Sequence, residues 1–504
     1  MNALDKIITW LSPQTGAKRL RARLVVQEAQ RLYEGAKTGR RTDGWTTAST
    51  SANAEIGPSL TKMRDRGRDL VRNNPYGAKA IRVFQTNTVG CGILPKAQTG
   101  DEKLNADIDA AWKEWCKACD ADGLKTFYGI QRLAARAIFE SGECLIRFRN
   151  RRPSDGMEIP LQLQMLEGDF LDATKTGVNG PNIIIQGVEF DPIGARVAYW
   201  LFSQHPGDVV TRTSSLLLTS QRVPASEVIH LFNEDRIGQV RGVTSFAAVL
   251  MKMRDLDEYD DAELMRKKIE ACFAAFVTQE AGEDGPTLGD KSTDSKTGKR
   301  LESLEPGMIN YLKPGESVDF GTPGGNDNYP AYMDAQLHAV AAGIGQTYEQ
   351  VTGDLSNVNY SSYRAGQMEF RADIEQFREL MLIPRLCDAV WHRFVETAYL
   401  AGKIRKIDYG VKWTPPRFQS IDPSKDTKAD ITAIRAGLLS LPDAISANGY
   451  DPDEQLAEIA ATNQKLDELG LILDCDPRKV TGAGQGMQTG DNASKGTADG
   501  QNND

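Results

Sequence analysis

The 504-residue chain is short of the residues that usually announce chemistry. It has four histidines, His205, His230, His338 and His392, and they share no metal-ligand spacing. No G-x-S-x-G and no H-E-x-x-H occurs, so neither a hydrolase nucleophile nor a zinc protease is indicated. The seven cysteines, Cys91, Cys116, Cys119, Cys144, Cys272, Cys387 and Cys475, are odd in number and keep no framework spacing, so free thiols are expected. No run of eighteen apolar residues exists, and no membrane span is expected. The opening MNALDKIITWLSP has too short an apolar run for a signal peptide, and a cytosolic protein is expected. Gly285-Pro-Thr-Leu-Gly-Asp-Lys-Ser292 is not a phosphate loop: Asp290 stands between glycine and lysine and would repel phosphate. No internal repeat is visible.

What is present describes a folded protein of two to four domains, with 40% apolar and 26% charged residues. Its net charge of −9 is uneven. Residues 1–42 carry nine Lys/Arg against three acids, residues 61–82 seven against two, and residues 451–504 four against eleven. An acidic total argues against gripping nucleic acid along the whole surface, yet an acidic wall would let DNA slide past without sticking.

The pattern alternates between helical and strand-like regions. A basic piece, Lys18 to Lys37, and a Thr/Ser/Ala/Gly-rich arm precede helices expected at 60–88, 102–118 and 126–141. Strands are expected at Cys144–Arg149, Leu161–Met165, Ile183–Phe190, Val197–Phe202 and Val223–Phe232, with Asp191-Pro-Ile-Gly194 as a type I turn making a hairpin. A charged helix of about 50 Å is expected from Ser245 to Gln279. Residues 280–326 read as a loop-rich insertion with a strand candidate at Met308–Leu312. Val411–Thr414 is a strand candidate, residues 424–470 are helical, and the tail from Thr481 is expected to be disordered.

The chain is organised around 330–380. Met333, Leu337, Val340, Ala341 and Ile344 give one helical face, and Gly343 and Gly345 weaken that helix at its end. Phe370, Ile374, Phe377 and Met381 give a second helix its face, with Ser361 or Ser362 as the expected cap and Pro384 expected to kink or end it. The polar stretch Gln346–Asn359 between them is expected to be a presented, functional loop.

Cys116 and Cys119 have zinc spacing, but no second pair answers them, and both extend a Trp-rich helix face; core packing is expected. The six carboxylates of Asp255–Glu263 occupy every side of one helix, so a solvated or channel-facing helix is expected rather than a catalytic group. Lys62, Arg64, Arg66, Arg68 and Arg72 form a basic patch without aromatic residues between them, expected to be solvated or to contact another subunit. No catalytic residue, metal or cofactor is assigned. A chain of this size without a credible active site reads as an assembly component, not an enzyme.

Several segments together resemble the lambda-type portal proteins of tailed bacteriophages. They are Arg68-Asp-Leu-Val-Arg-Asn-Asn-Pro-Tyr76, Glu140-Ser-Gly-Glu143, Leu161-Gln-Leu-Gln-Met-Leu-Glu167, Val223-Pro-Ala225, Gly238-Gln-Val-Arg-Gly-Val243, Ala341-Ala-Gly-Ile-Gly345, Thr352-Gly-Asp-Leu-Ser356, Asn359-Tyr-Ser-Ser-Tyr-Arg364 and Asp422-Pro-Ser-Lys425. Ile237 and Ser245 depart from that pattern, where proline and an aromatic are common.

The resemblance implies an α+β portal fold. A basic arm (1–60) would precede a wing with helices and a β-rich part (61–244), and stem helices (245–279 and 329–345) would flank a small α/β clip (280–328). A tunnel loop (346–361), a long helix with wing return (362–423), crown helices (424–475) and a tail (476–504) would follow. It further implies a homo-oligomeric ring, of twelve in the virion, at the capsid vertex, assembled in the host cytoplasm. Implied partners are the terminase large subunit, a head–tail adaptor, the major capsid protein and scaffold, with double-stranded DNA passing through without sequence readout. Gln346, Gln350, Ser356, Asn357, Asn359, Tyr360 and Arg364 would line the channel. Arg254, Arg266, Lys267 and Lys268 on the stem would brake DNA, or the stem charges, with Asp257 and Asp260, would pair between neighbouring subunits, the second being preferred because opposite charges alternate there. A magnesium-dependent nuclease using 255–263 and a capsid-shell or scaffold protein are the competing readings.

Overall fold

A computed structural model describes residues 47–208, 219–272, 328–418, 422–448 and 452–471, with scattered positions outside those runs. The expected basic piece at Lys18–Lys37, the clip with its strand at Met308–Leu312, the far end of the first stem helix (273–279) and the tail lie outside the described residues. The chain divides into Met1–Glu55 and Ile56–Asp504, and the sheets, cores and sites below belong to the second unit.

Helix α1 (Ala52–Asn73) and helix α2 (Pro75–Thr88) replace the single helix expected at 60–88. The break has a local cause. Asn74 is extended and its side chain accepts from the Gly77 amide, so it caps α2, and Pro75 takes the first helical position, where no N–H is needed. Helices α3 (Glu102–Ala118) and α4 (Phe127–Ser141) stand as the periodicity demands, capped by Asp101 and Thr126. They enclose the largest core, in which Trp112, Trp115, Phe127, Trp391 and Phe394 pack with ring centroids 4.9–6.3 Å apart. Cys116 and Cys119 are buried in it, and burial pushes the Cys119 thiol up to about 12, as suits inert packing groups.

Ten described strands form three antiparallel sheets. A ribbon joins β1 (Leu94–Ala97) to β10 (Val411–Thr414). A three-stranded sheet has β2 (Glu143–Asn150) between β3 (Leu161–Glu167) and β9 (Val228–Phe232). A five-stranded meander runs β4 (Gly177–Asn179), β5 (Asn182–Ile185), β6 (Val188–Phe190), β7 (Arg196–Leu201) and β8 (Gln221–Pro224).

Two expected strands are each divided. Ile183–Phe190 folds back on itself at Gln186 (φ 48°) and Gly187 (φ 86°), a turn with both central residues left-handed. Val223–Phe232 is cut by a 3-10 turn at Ala225–Glu227, and its halves join different sheets. The Asp191–Gly194 turn forms as expected, with the Gly194 amide donating to the Asp191 carbonyl at 3.0 Å.

The helix expected from Ser245, α5, is described over Leu250–Cys272; residues 245–249 are turns. It packs against α6 (Tyr329–Gly343) through Met253, Leu256, Met333, Leu337 and Val340, all buried. Met265, further along α5, is exposed.

A short helix α7 (Tyr348–Thr352) leads to α8 (Tyr360–Phe377), a π-helical segment (Arg378–Cys387) and α9 (Asp388–Leu400). Pro384 therefore neither ends nor simply breaks the helix; it sits within the π-helical stretch. Positions four apart, Phe370, Ile374, Arg378, Leu382, Leu386, Val390, Phe394 and Ala398, are all buried. In a uniform α-helix such a line rotates by about 40° per step and soon faces water. The wider i→i+5 winding offsets that drift. Arg378 opens the segment and closes α2, donating to the carbonyls of Asn87 (2.6 Å) and Thr88 (2.7 Å). Three further helices follow: α10 (Pro423–Arg435), α11 (Leu441–Ala447) and α12 (Pro452–Leu469).

Candidate functional site

The bend between α6 and α8 has a fixed root and an open tip. Helix α6 ends in a Schellman motif: the Gln346 amide donates to the Ala341 carbonyl at 3.0 Å and the Gly345 amide to Ala342 at 3.4 Å, with Gly345 at φ +69°. Gln346 and Gln350 are not presented to a channel, as expected from their polarity, but buried. The Gln346 amide nitrogen donates to the Ala80 carbonyl on α2 at 2.8 Å, and that of Gln350 to the Gln367 oxygen on α8 at 3.3 Å. Gln350 also completes a capping box with Thr347, which starts α7. Val351 is buried below. His338 is exposed on α6 and stacks on Tyr348 with centroids 4.3 Å apart. The Tyr348 hydroxyl donates to Asp334 at 2.9 Å.

Beyond Gly353 the chain is exposed. Ser356, Asn357, Asn359, Tyr360 and Arg364 lie together at the tip and on the first turn of α8. The cap of α8 is Asn359, not Ser361 or Ser362: its side-chain oxygen accepts from the Ser362 amide at 2.8 Å. Asn outcompetes the serines because its position, just before the helix, has extended backbone, whereas Ser361 and Ser362 already lie inside it.

Four of the charges on α5 are engaged within their own chain. Arg254 pairs with Glu258 one turn on at 2.8 Å, Arg266 pairs with Glu263, and Lys267 and Lys268 are exposed. Asp257 accepts from the Asn74 side chain at 2.6 Å, and Asp260 accepts from the Tyr329 hydroxyl. Burial, with the charges of Asp261 and Asp260, raises the Asp257 carboxyl. Among the described residues these carboxylates do not cluster closely enough to hold a metal ion.

A second charged site was not foreseen. Arg64 and Arg68, read as a surface patch on α1, turn inward, while Lys62, Arg66 and Arg72 stay exposed. Glu143, fully buried at the start of β2, receives Arg64 and Arg241 at 2.5 Å each and the Gly242 amide at 3.1 Å. Asp169 takes Arg64 (3.1 Å) and Arg68 (2.6 Å), and Arg68 also holds Glu167 at 2.7 Å. Burial works against the Glu143 charge, but Arg241, His230 and Arg64 hold its carboxyl well below the usual range. His230 is neutral: Arg196 faces its Nδ1 at 3.3 Å, which leaves Nε2–H to donate to Glu143 at 3.0 Å. Burial, opposed by Glu143, brings that imidazole down to about 4.

This hub ties α1 and both outer elements of the three-stranded sheet to the segment that enters α5. The apolar content of β2 and β9 signals burial, but nothing local marks which charge is buried.

Glu167, Asp169 and His205 are the one group among the described residues with metal-like clustering. The Arg68 guanidinium already sits on both carboxylates, and His205 Nδ1 accepts from the Gly207 amide at 3.0 Å, which leaves a proton on Nε2. A cation is thus built in. The neighbouring cleft of about 730 Å³ is likewise self-satisfied, with Lys125 on Asp120 (2.9 Å) and Arg136 on Glu140 (3.0 Å).

The family model described as phage portal protein, lambda family, matches residues 38–378. The probable portal protein of Halomonas phage phiHAP-1 is 26% identical over 460 residues, covering 88% of each chain. Portal protein B of Escherichia phage lambda is 24% identical over 485 residues, covering 87% of this chain and 90% of the relative. Among solved structures, the neck of an empty gene transfer agent particle matches at 15% identity and a TM-score of 0.41, over 79% of this chain and 94% of the other.

Proposed function

Because this chain belongs to the lambda family of phage portal proteins, we propose that its copies stand side by side as a closed ring, of twelve in the virion, at one capsid vertex. Duplex DNA enters and leaves through the central hole. The observation that carries this reading is the one-sidedness of the paired helices α5 and α6. Met253, Leu256, Met333 and Leu337 are buried between them and the body, while Met251, Leu264, Met265 and Tyr332 remain exposed. Apolar residues on the outer sides of a long helical pair suit burial against the next copy.

Residues 61–244 then serve as the wing, 245–279 and 329–345 as the stem, 280–328 as the clip that meets terminase and later the head–tail adaptor, 362–423 as the long helix with wing return, and 424–475 as the crown. The DNA-facing part of the tunnel loop narrows to its tip: Ser356, Asn357, Asn359, Tyr360 and Arg364. Short polar groups there contact phosphate and water without reading bases, as a conduit for any sequence requires. Electron microscopy of the purified chain tests the ring, which should show a hole of duplex width. A monomer in solution and in the particle alike would overturn it, and open shells would favour the capsid reading.

A further inference from the structure

Helices α10, α11 and α12 are poor in buried apolar surface. Among the described residues from 422 onward, Ala444 alone is buried, whereas Ile431, Leu438, Leu441, Ile459 and Leu469 are exposed. Short helices in water need an apolar face on a core, because nucleation costs more than a few turns return. Four ion pairs join these helices to the body, sorted by side, beside the buried Ala444 and the contact of Lys425 with the Tyr360 ring at 5.8 Å. Arg417 holds Asp430 at 2.5 Å, Lys96 holds Asp453 at 2.8 Å, Lys113 holds Glu454 at 3.3 Å, and Lys412 pairs with Asp443. All four cations belong to the body and all four carboxylates to the helices. The lysine hydrogen bond is the main cause that lowers the Asp443 carboxyl.

The ribbon adds a second reason for this arrangement. Lys96 on β1 and Lys412 on β10 are direct cross-strand partners. Like charges opposite one another weaken a two-stranded pairing. Asp453 and Asp443 bring a carboxylate to each, and Asp109 on α3 stands 3.3 Å from Lys96. With the helices lifted away, the Lys412 side of the ribbon loses its counter-charge.

We propose that α10–α12 form a strap closed by an ionic latch, seated on the Lys96/Lys113/Lys412/Arg417 strip, which opens as ionic strength rises. Its pairs are largely exposed, so screening acts on all of them together: the Debye length falls from about 10 Å at 0.1 M salt to about 3 Å at 1 M.

Hydrogen–deuterium exchange on the full chain in about 0.1 M and about 1 M NaCl tests this. Amides of 423–469 should exchange at least about tenfold faster in high salt, while those of α4 keep their protection. Strap protection that stays within about twofold would overturn the latch and assign the hold to packing against a neighbouring copy. In low salt, Lys412→Glu should reproduce the fast exchange, and Lys412→Glu with Asp443→Lys should restore protection. Equal protection in the single variant, with α4 intact, would also overturn it. The salt series needs no variant and decides the matter should Lys412→Glu fail to fold.

Discussion

Around Glu143, three arginines and three carboxylates meet, all but Glu167 largely withdrawn from solvent, while the six carboxylates of 255–263 line a helix that is mostly in solvent. The second group is conspicuous in the sequence and the first is scattered over 178 positions, from Arg64 to Arg241. Density of charge along a chain reports helix faces in solvent. Energetic leverage belongs to the few charges that folding removes from water, because an unpaired ion there cannot be rescued by solvent.

Breaking that contrast is the most direct test of it. Glu143→Gln strands Arg64 and Arg241 and should cost about 3–5 kcal/mol, read as a large fall in melting temperature or loss of soluble protein. Asp257→Asn should leave the melting temperature close to that of the parent, and equal effects of the two would erase the distinction.

Acid should sharpen it next. The His230 imidazole has a folded value of about 4 against an ordinary 6.5. The unfolded chain therefore binds the extra proton first, and stability present above about 6.5 is lost as pH falls towards 4, on the order of 2–3 kcal/mol. Melting temperatures across that window should slope downward in the parent, and less so in His230→Gln if the variant keeps the Glu143 hydrogen bond.

Within the bend, Gln350→Ala removes half of a capping box and a buried amide contact and should cost about 1 kcal/mol in chemical denaturation. Removing Leu355–Asn357 should leave rings intact and lower DNA packaging or retention, whereas removing Glu349–Val358 takes Gln350 and Val351 with it and should impair folding. Smallest of all, Arg254→Ala on the exposed stem should leave thermal melting unchanged within error.

Local periodicity made much of the fold legible: the faces of α6 and α8, the Trp-rich α3 and the Asp191–Gly194 turn follow from spacings within a dozen residues. Legibility failed where folding joins distant positions. Gln346 and Gln350 look like loop residues because they are polar; their burial depends on a carbonyl at Ala80 and an amide at Gln367. Arg64 looks like its exposed neighbours Lys62 and Arg66, since only the strand carrying Glu143 tells them apart. The Gln186–Gly187 reversal was masked by apolar residues on both sides.

The slow winding at Arg378–Cys387 also sets the phase of everything distal to it. Loss of one residue in α8 would swing its wetted side towards the core, but the same loss beside Leu380, exposed within the wider turns, can be taken up by converting a π turn into an α turn. Grafts of a foreign loop onto this scaffold should therefore place their junction there, where a miscounted residue does least harm.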